Sequence, residues 1–486
     1  MTEATLRLYE DLPGPRGWPL LGNALQMNGP RMHLQMEHWC REFGPYYRLK
    51  VGPRRLLVVG EHQQVAAMLR DRPEGFGRGS RLEAIGQEMG LKPGLFGSNG
   101  DMWRRQRRMV MAGFDPAHIK RYFPALCRVA RRLVGRWKGA ASDGRAIDLQ
   151  ADLMRYTVDT IAGLAFGAEV NTLESDEDVI QKHLDKIFPA LARRLTAALP
   201  MWRWLPSRED RELKSSMVAV NQAVDGFIAQ ARARLKQEPE RAKNPANLLE
   251  AMIVAADEPG SGIDDAQVAG NVLTMLLAGE DTTANTIAWM IYLLWRHPSA
   301  LARTAEEVRR VLPDPQNPTH EQVNQLAYVE ACAHETMRLK PVAPLLVLQP
   351  QREMTVGNVR IPPDVVVFGL MRRDSVSDEY VQNATDFQPE RWLAAEGTGQ
   401  AAGAAKRISM PFGAGPRICP GRYLALLEMK MAMAMLLSYF EIEAVDTRDG
   451  GEAAERLSFT MAPVGLRLRL RMREKGSGPF FDGKGS

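Results

Sequence analysis

One helical run limits the folds open to this chain more than any other feature. Asp264-Asp265-Ala266-Gln267 resembles a capping box, and the pattern behind it continues without a breaker to His297, just before Pro298. A helix over these residues would be about 50 Å long, enough to cross a whole domain. It does not suit a bilayer. Its longest apolar stretch, Asn271 to Trp295, carries Glu280 and Asp281 at the centre. Each acidic residue there opposes insertion by roughly 2.5–3.5 kcal/mol, so no membrane span is expected.

The segment AGEDTT interrupts apolar turns on both sides of it. Gly279 inside a helix costs roughly 1 kcal/mol against alanine. Asp281 and Thr282 would be expensive to bury without partners. A solvated stripe is the plain explanation, but the flanking turns are too apolar for one. The interruption is expected to carry chemistry.

A helix of that length needs a large domain around it. The chain has 486 residues, 45% of them hydrophobic and 25% charged, with no linker, repeat or low-complexity tract. One domain over residues 1–474 follows, with core enough to bury a prosthetic group, and 475–486 as a mobile tail. The four cysteines are scattered, without C-x-x-C spacing or a paired histidine motif. That argues against structural zinc and a disulfide framework and for a reducing compartment, the cytoplasm. The N-terminus opens with acidic residues and has no signal-peptide h-region. A net charge of +5 without a nucleic-acid motif excludes nucleic acid as a partner.

Along the chain, YYRLKVGPRRLLVVG alternates about Gly52-Pro53 as a β-hairpin does. From Met102 to about Arg310 the pattern is helical, broken at Asp115-Pro116, near Pro200 and at Pro259-Gly260. A β-rich patch follows from Leu345 to Leu370, and LSFTMAPVGLRLRLRM reads as closing strands. The expected fold is mainly α with small β-sheets set to one side.

PFGAGPRICPGRYLALLEMK, Pro411 to Lys430, holds a lone thiol, Cys419. A free cysteine is usually a small buried hydrophobe. A dinucleotide-binding turn at Gly413-Ala414-Gly415 fails, because Ile418 stands where glycine or alanine is needed. Pro420 suits the first position of a helix, and the run from Arg422 to Phe440 is apolar on nearly every face, which marks a buried helix. Cys419 would then lie at a helix N-terminus, where free N–H groups favour a thiolate. Gly413, Gly415 and Gly421 leave room for a flat ligand, and Arg417 offers a cation to an anionic group on it. These features describe a thiolate suited to a planar, acid-bearing metal cofactor.

Phe412, Gly415, Arg417, Cys419 and Gly421 match F-x-x-G-x-R-x-C-x-G in full. The stretch resembles the haem-binding loop of the cytochrome P450 family, in the manner of a soluble bacterial-type member. The resemblance implies haem b as cofactor, Cys419 as the iron ligand, and the long central helix lying over the haem. Ala278, Gly279, Asp281 and Thr282 match the family's A/G-G-x-D/E-T. It implies that the two small residues leave room for dioxygen while Thr282 and Asp281 deliver protons for O–O cleavage. Glu335 and Arg338 match E-x-x-R, and Arg391 in FQPERW would complete a buried Glu-Arg-Arg cluster that serves the fold. Trp103 and Arg107 match the W-x-x-x-R of the propionate-binding helix. The motifs keep the family's order from Trp103 to Gly421. One departure stands out: where many members place an arginine or histidine for a propionate, this chain has Leu348 and Gln349, and Arg352 lies farther along.

The resemblance implies a monooxygenase that inserts one oxygen atom into a lipophilic small molecule. A peroxygenase or isomerase is the alternative on the same fold, and a haem-based ligand sensor or carrier the alternative of another class. Pocket walls are expected from the loop Phe76 to Phe96, from Phe188 to Trp204, around Ala278, at Pro344 to Val347 and near Phe459 to Met461. Electrons would come to a monomer from a separate ferredoxin or flavodoxin-type donor. The helix bearing Trp103 also carries Arg104, Arg105, Arg107 and Arg108. With Arg107 turned inward, Arg105 should lie farthest round on a cationic docking face.

Overall fold

The computed structural model describes residues 6–114, 116–168, 170–175, 179–197, 199–393 and 401–473. The tail expected at 475–486 lies outside them. The central helix spans Asp265–Arg296, with Asp264 as N-cap and the capping box to Gln267 formed as expected. Helices surround it, and four small sheets lie around them.

The helix Leu149–Phe166 packs along the central helix, and two of its side chains bond to neighbouring helices. Thr157 donates to the Glu280 carbonyl at 3.0 Å, and Tyr156 donates to the Glu428 carbonyl at 3.1 Å. Glu428 belongs to the helix Arg422–Tyr439, buried through most of its length. Nearer its start, the central helix holds Asn271, which takes the Leu95 N–H at 2.9 Å and donates to Gln106 at 2.8 Å. That residue ties the loop before Ser98 and the helix Gly100–Gly113 to the central helix.

The largest sheet has five strands in the order Tyr46–Val51, Arg54–Val59, Val366–Leu370, Leu345–Pro350, Phe76–Gly77. The expected hairpin forms its first two strands, paired in register from Tyr46↔Val59 to Val51↔Arg54. A two-stranded hairpin, Glu455–Ser458 with Thr460–Pro463, reaches back to the central helix.

Glu335 and Arg338 are fully buried on the helix Ala327–Leu339 and meet through two hydrogen bonds of 2.7 and 2.8 Å. Arg391 joins Glu335 at 3.3 Å, and the Trp392 indole adds a bond of 2.8 Å. Arg338 spends its other donors on the carbonyls of Ser375, Ala384 and Asp386. Such a buried group is tolerable because every charge has a partner.

Two local expectations are corrected. The stretch from Phe76 to Phe96 is not all loop, for Ser80–Met89 is a helix within it. The helix after Cys419 starts at Arg422 with Gly421 as N-cap, so Pro420 is not its first residue. The 3-10 turn Gly415–Arg417 and the Phe412 carbonyl, which accepts from Cys419 N at 2.9 Å, hold the segment outside the helix.

Candidate active site

Cys419 therefore sits two residues before its helix cap, in a loop closed on itself by the Phe412–Cys419 hydrogen bond. Burial pushes its thiol pKa up, while the Gly421 N–H, Arg107 and Arg422 pull it back. The loop needs glycine at 415 for a reason the sequence did not show. Gly415 has φ of +70°, and a Cβ there would lie 2.6 Å from the Leu69 carbonyl oxygen. That close approach lays the end of the helix His62–Arg70 beside the cysteine loop. Gly413, with φ of +74°, has open space where its side chain would be.

Arg417 points its guanidinium over the buried Trp103 ring, 5.1 Å from the centroid, and donates to the carbonyls of Ser98 and Leu95. So Trp103 and Arg107 are not a surface stack: the tryptophan is buried under Arg417, and Arg107 lies near Cys419. Two further arginines belong to the group. Burial, with Arg72 and Arg107 as neighbouring cations, pushes Arg417 down to about 9. Burial pushes Arg72 down to about 10, and burial with Arg72 and Arg417 nearby pushes Arg78 well down. Among the described residues no carboxylate pairs with Arg72, Arg78, Arg107 or Arg417. The Nε and Nη2 atoms of Arg72 are buried without any hydrogen-bond partner. Arg78 is half-buried, and its Nε donates to the Phe96 carbonyl at 3.1 Å.

On the central helix, Ala278 is exposed and Thr282 donates to its carbonyl at 2.6 Å. Gly279 also has a packing role. A Cβ on it would lie 2.6 Å from Ile161 Cδ1, so it is the point where the helix Leu149–Phe166 closes on the central helix. Asp281 and Thr282 do not touch through their side chains. Asp281 accepts hydrogen bonds from the hydroxyl of Thr460 and, at 2.8 Å, from the amide of Asn285, which in turn accepts from Gln150 at 2.9 Å. Burial raises the Asp281 pKa, with Thr460, Asn285 and the charge of Arg456 opposing the rise.

The family model for cytochrome P450 matches residues 12–470. The chain belongs to the cytochrome P450 family. It is 29% identical to the carotene epsilon-monooxygenase, chloroplastic, of Arabidopsis thaliana, over 87% of this chain and 79% of that protein. It is 26% identical to the bifunctional cytochrome P450/NADPH–P450 reductase of Bacillus cereus, over 96% of this chain but only 42% of that protein. Among solved structures, the cytochrome P450DA heme domain superposes with a TM-score of 0.82 at 25% identity, covering 97% of this chain and 99% of that one. This protein is thus a cytochrome P450 monooxygenase, an oxidoreductase whose cofactor is haem b.

The residues present fit that cofactor. Arginines keep their protons in proteins, so a carboxylate-free cluster of four needs anions from elsewhere. Haem b carries two carboxylates, and the orphaned donors of Arg72 lie in the cluster that contains Arg417. The departure noted at Leu348 and Gln349 is real. Leu348 is fully buried in the sheet core, Gln349 bonds to Ser80 N and the Pro363 carbonyl, and Arg352 is exposed. Arg72 and Arg78 come from a segment without a recognised motif, which is why the sequence did not single them out.

Three of the segments expected to wall the P450 pocket meet in the structure. Phe459 stacks on Phe188 at 4.5 Å and lies 5.8 Å from Phe96, joining three separate segments in one aromatic cluster. Its φ of +78° is a conformation rare for a bulky side chain. The rest of the expected walls divide. Phe76 and Met461 are core residues, and Met201 and Trp204 face outward.

Proposed function

We propose that this P450 inserts one oxygen atom into a lipophilic small molecule, using electrons from a separate acidic donor. The observation that carries the reading is the lone thiol of Cys419 beside four arginines without a counter-anion. Bound haem supplies a thiolate-ligated iron that activates dioxygen and favours O–O cleavage. Cys419 would ligate the iron, with Phe412 closing the loop behind it. Arg417, Arg107 and Trp103 would hold one side of the propionates, and Arg72 with Arg78 would provide the cations that Leu348 and Gln349 do not.

Ala278 opens the cavity wall, and Gly279 keeps the central helix tight against Ile161 behind it. The Thr282 hydroxyl, satisfied as a donor on the Ala278 carbonyl, keeps lone pairs free to accept a hydrogen bond in the cavity. Asp281 holds a proton to higher pH than an ordinary aspartate because it is buried, and Thr460 with Asn285 fixes its orientation. An acid and an alcohol in consecutive positions suit proton delivery to dioxygen. The same pair weighs against a peroxygenase, an isomerase or a sensor.

The aromatic cluster of Phe96, Phe188 and Phe459 favours an apolar substrate, as does the likeness to a carotene monooxygenase. The scattered cysteines favour a reducing compartment, the cytoplasm. Cys419→His tests the reading. It should fold and still bind haem, while the reduced carbon monoxide complex loses its red-shifted Soret band. A variant that keeps that band would show that Cys419 is not the ligand.

A further inference from the structure

Among the described residues, the hairpin Glu455–Ser458 with Thr460–Pro463 pairs with no third strand. A two-stranded hairpin by itself is marginally stable in water. Its turn adds to the difficulty. Ser458 pairs with Thr460, so Phe459 alone makes the turn, at a φ of +78°. One-residue turns at positive φ are rare and strained, and such strain persists only where the surroundings over-determine it. The tip nevertheless carries two residues of the active site. The Phe459 ring stacks on Phe188, and the Thr460 hydroxyl donates to Asp281.

What holds the hairpin lies at its base. Glu455 is its first residue, and the side chain is only 8% exposed among three basic side chains from separate parts of the fold. Arg372, just after the strand Val366–Leu370, donates from Nη1 to both carboxylate oxygens at 3.0 Å. Lys340, just after the helix Ala327–Leu339, donates at 2.5 Å, and His33 Nε2 lies 2.7 Å away. His33 and Glu37 belong to the helix Met32–Phe43, and Glu37 accepts from Nε and Nη2 of Arg372 at 3.0 and 2.9 Å. Burial by itself would raise the Glu455 pKa, but His33, Arg372 and Lys340 outweigh it and hold the carboxyl far below the usual range. A carboxylate so enclosed keeps the base of the strand in one place, because moving it leaves buried ions without their partners.

We infer that Glu455 is a positioning residue for Asp281: it fixes the hairpin register that brings the Thr460 hydroxyl onto that carboxyl. Register decides this because side chains alternate between faces along a strand. A slip of one residue would turn Thr460 away from the central helix. Met461 N, which donates to the Val342 carbonyl at 2.8 Å, secures the second strand. The consequence for turnover rests on the monooxygenase reading, in which Asp281 holds a proton for dioxygen. The placement of Thr460 does not.

The infrared carboxyl band of Asp281, isolated by subtracting the spectrum of Asp281→Asn, reads that placement without turnover. In the haem-loaded full chain, Thr460→Val should shift the band, since the carboxyl loses a hydrogen bond. Glu455→Leu, which removes every bond at the base, should shift it the same way. The double variant should go no further, because both changes remove one contact. Glu307→Gln is the control: it takes a buried carboxylate from the N–H groups of Tyr328 and Val329 and should leave the band in place. Where Glu455→Leu does not fold, Lys340→Gln removes one bond from a partly exposed position and should shift the band part of the way. In turnover, Thr460→Val and Glu455→Leu should both send several-fold more donor electrons to hydrogen peroxide. An unmoved band in either variant of the base that folds, or an equal shift in Glu307→Gln, would overturn the proposal. A shifted band in a chain that oxidises no substrate would leave the positioning role standing and overturn the monooxygenase reading instead.

Discussion

Arg72 shows how much a single side chain depends on what the fold puts beside it. In sequence it is one of many arginines in a charged stretch; in the structure it is buried with two donors unsatisfied, next to other arginines. Arg72→Gln or Arg78→Gln should speed haem transfer to an apoprotein acceptor by roughly tenfold, since a lost charge-assisted hydrogen bond costs about 1.5–3 kcal/mol. Exposed Arg352 is the control, and Arg352→Gln should not change the rate. Asp281 offers a pH test on the apoprotein. Its pKa is raised by burial, so the folded chain keeps a proton that the unfolded chain has released above 3.8, the usual aspartate value. Stability therefore falls as pH rises beyond that point and the buried carboxyl ionises. Asp281→Asn should remove that loss, and its urea midpoint relative to wild type should climb with pH. A constant difference across pH would show that Asp281 ionises freely. Thr460→Val should steepen the loss, because the Thr460 hydroxyl lowers the Asp281 pKa.

At the scale of the element, the helix Gly100–Gly113 serves two surfaces at once. Trp103, Gln106, Met109 and Val110 are buried, and Arg107 lies half-buried near Cys419. Arg104, Arg105 and Arg108 are exposed, as the spacing leads one to expect. They are not equivalent. Arg104 is neutralised by Glu74 and Asp101, and Arg105 lies over Gly262. Among the described residues Arg105 and Arg108 have no carboxylate partner, and we propose that they steer an acidic donor. Arg105→Glu and Arg108→Glu should each slow stopped-flow reduction several-fold and flatten its dependence on ionic strength. Arg104→Gln should do less. Rates that ignore both charge reversals would remove this helix from donor docking.

At the scale of the whole molecule, the buried Glu335–Arg338–Arg391 group connects a helix to the segment from Ser375 to Trp392. Glu335→Gln leaves two guanidinium groups facing a neutral amide in a site closed to water. The expected cost is about 3–5 kcal/mol, read as a lower urea midpoint and weaker haem retention. A loss below about 1 kcal/mol would mean that water enters and solvates the arginines.

The sequence by itself determined the features carried by residues close along the chain. The ends of the central helix follow from Asp264, Gln267 and Pro298, the first hairpin from Gly52-Pro53, and the thiol loop from fixed spacings around Cys419. Hydrogen bonds of caps and turns are local, so periodicity and spacing reveal them. Only the tertiary structure decided the partners of those features. Thr460 reaches Asp281 across 179 positions, Gly279 and Gly415 are small because Ile161 and Leu69 approach them, and Arg72 and Arg78 join Arg417 from a stretch with no motif. Burial and like-charge crowding are properties of a packed volume, and residues far apart in sequence acquire them only when the chain folds back on itself.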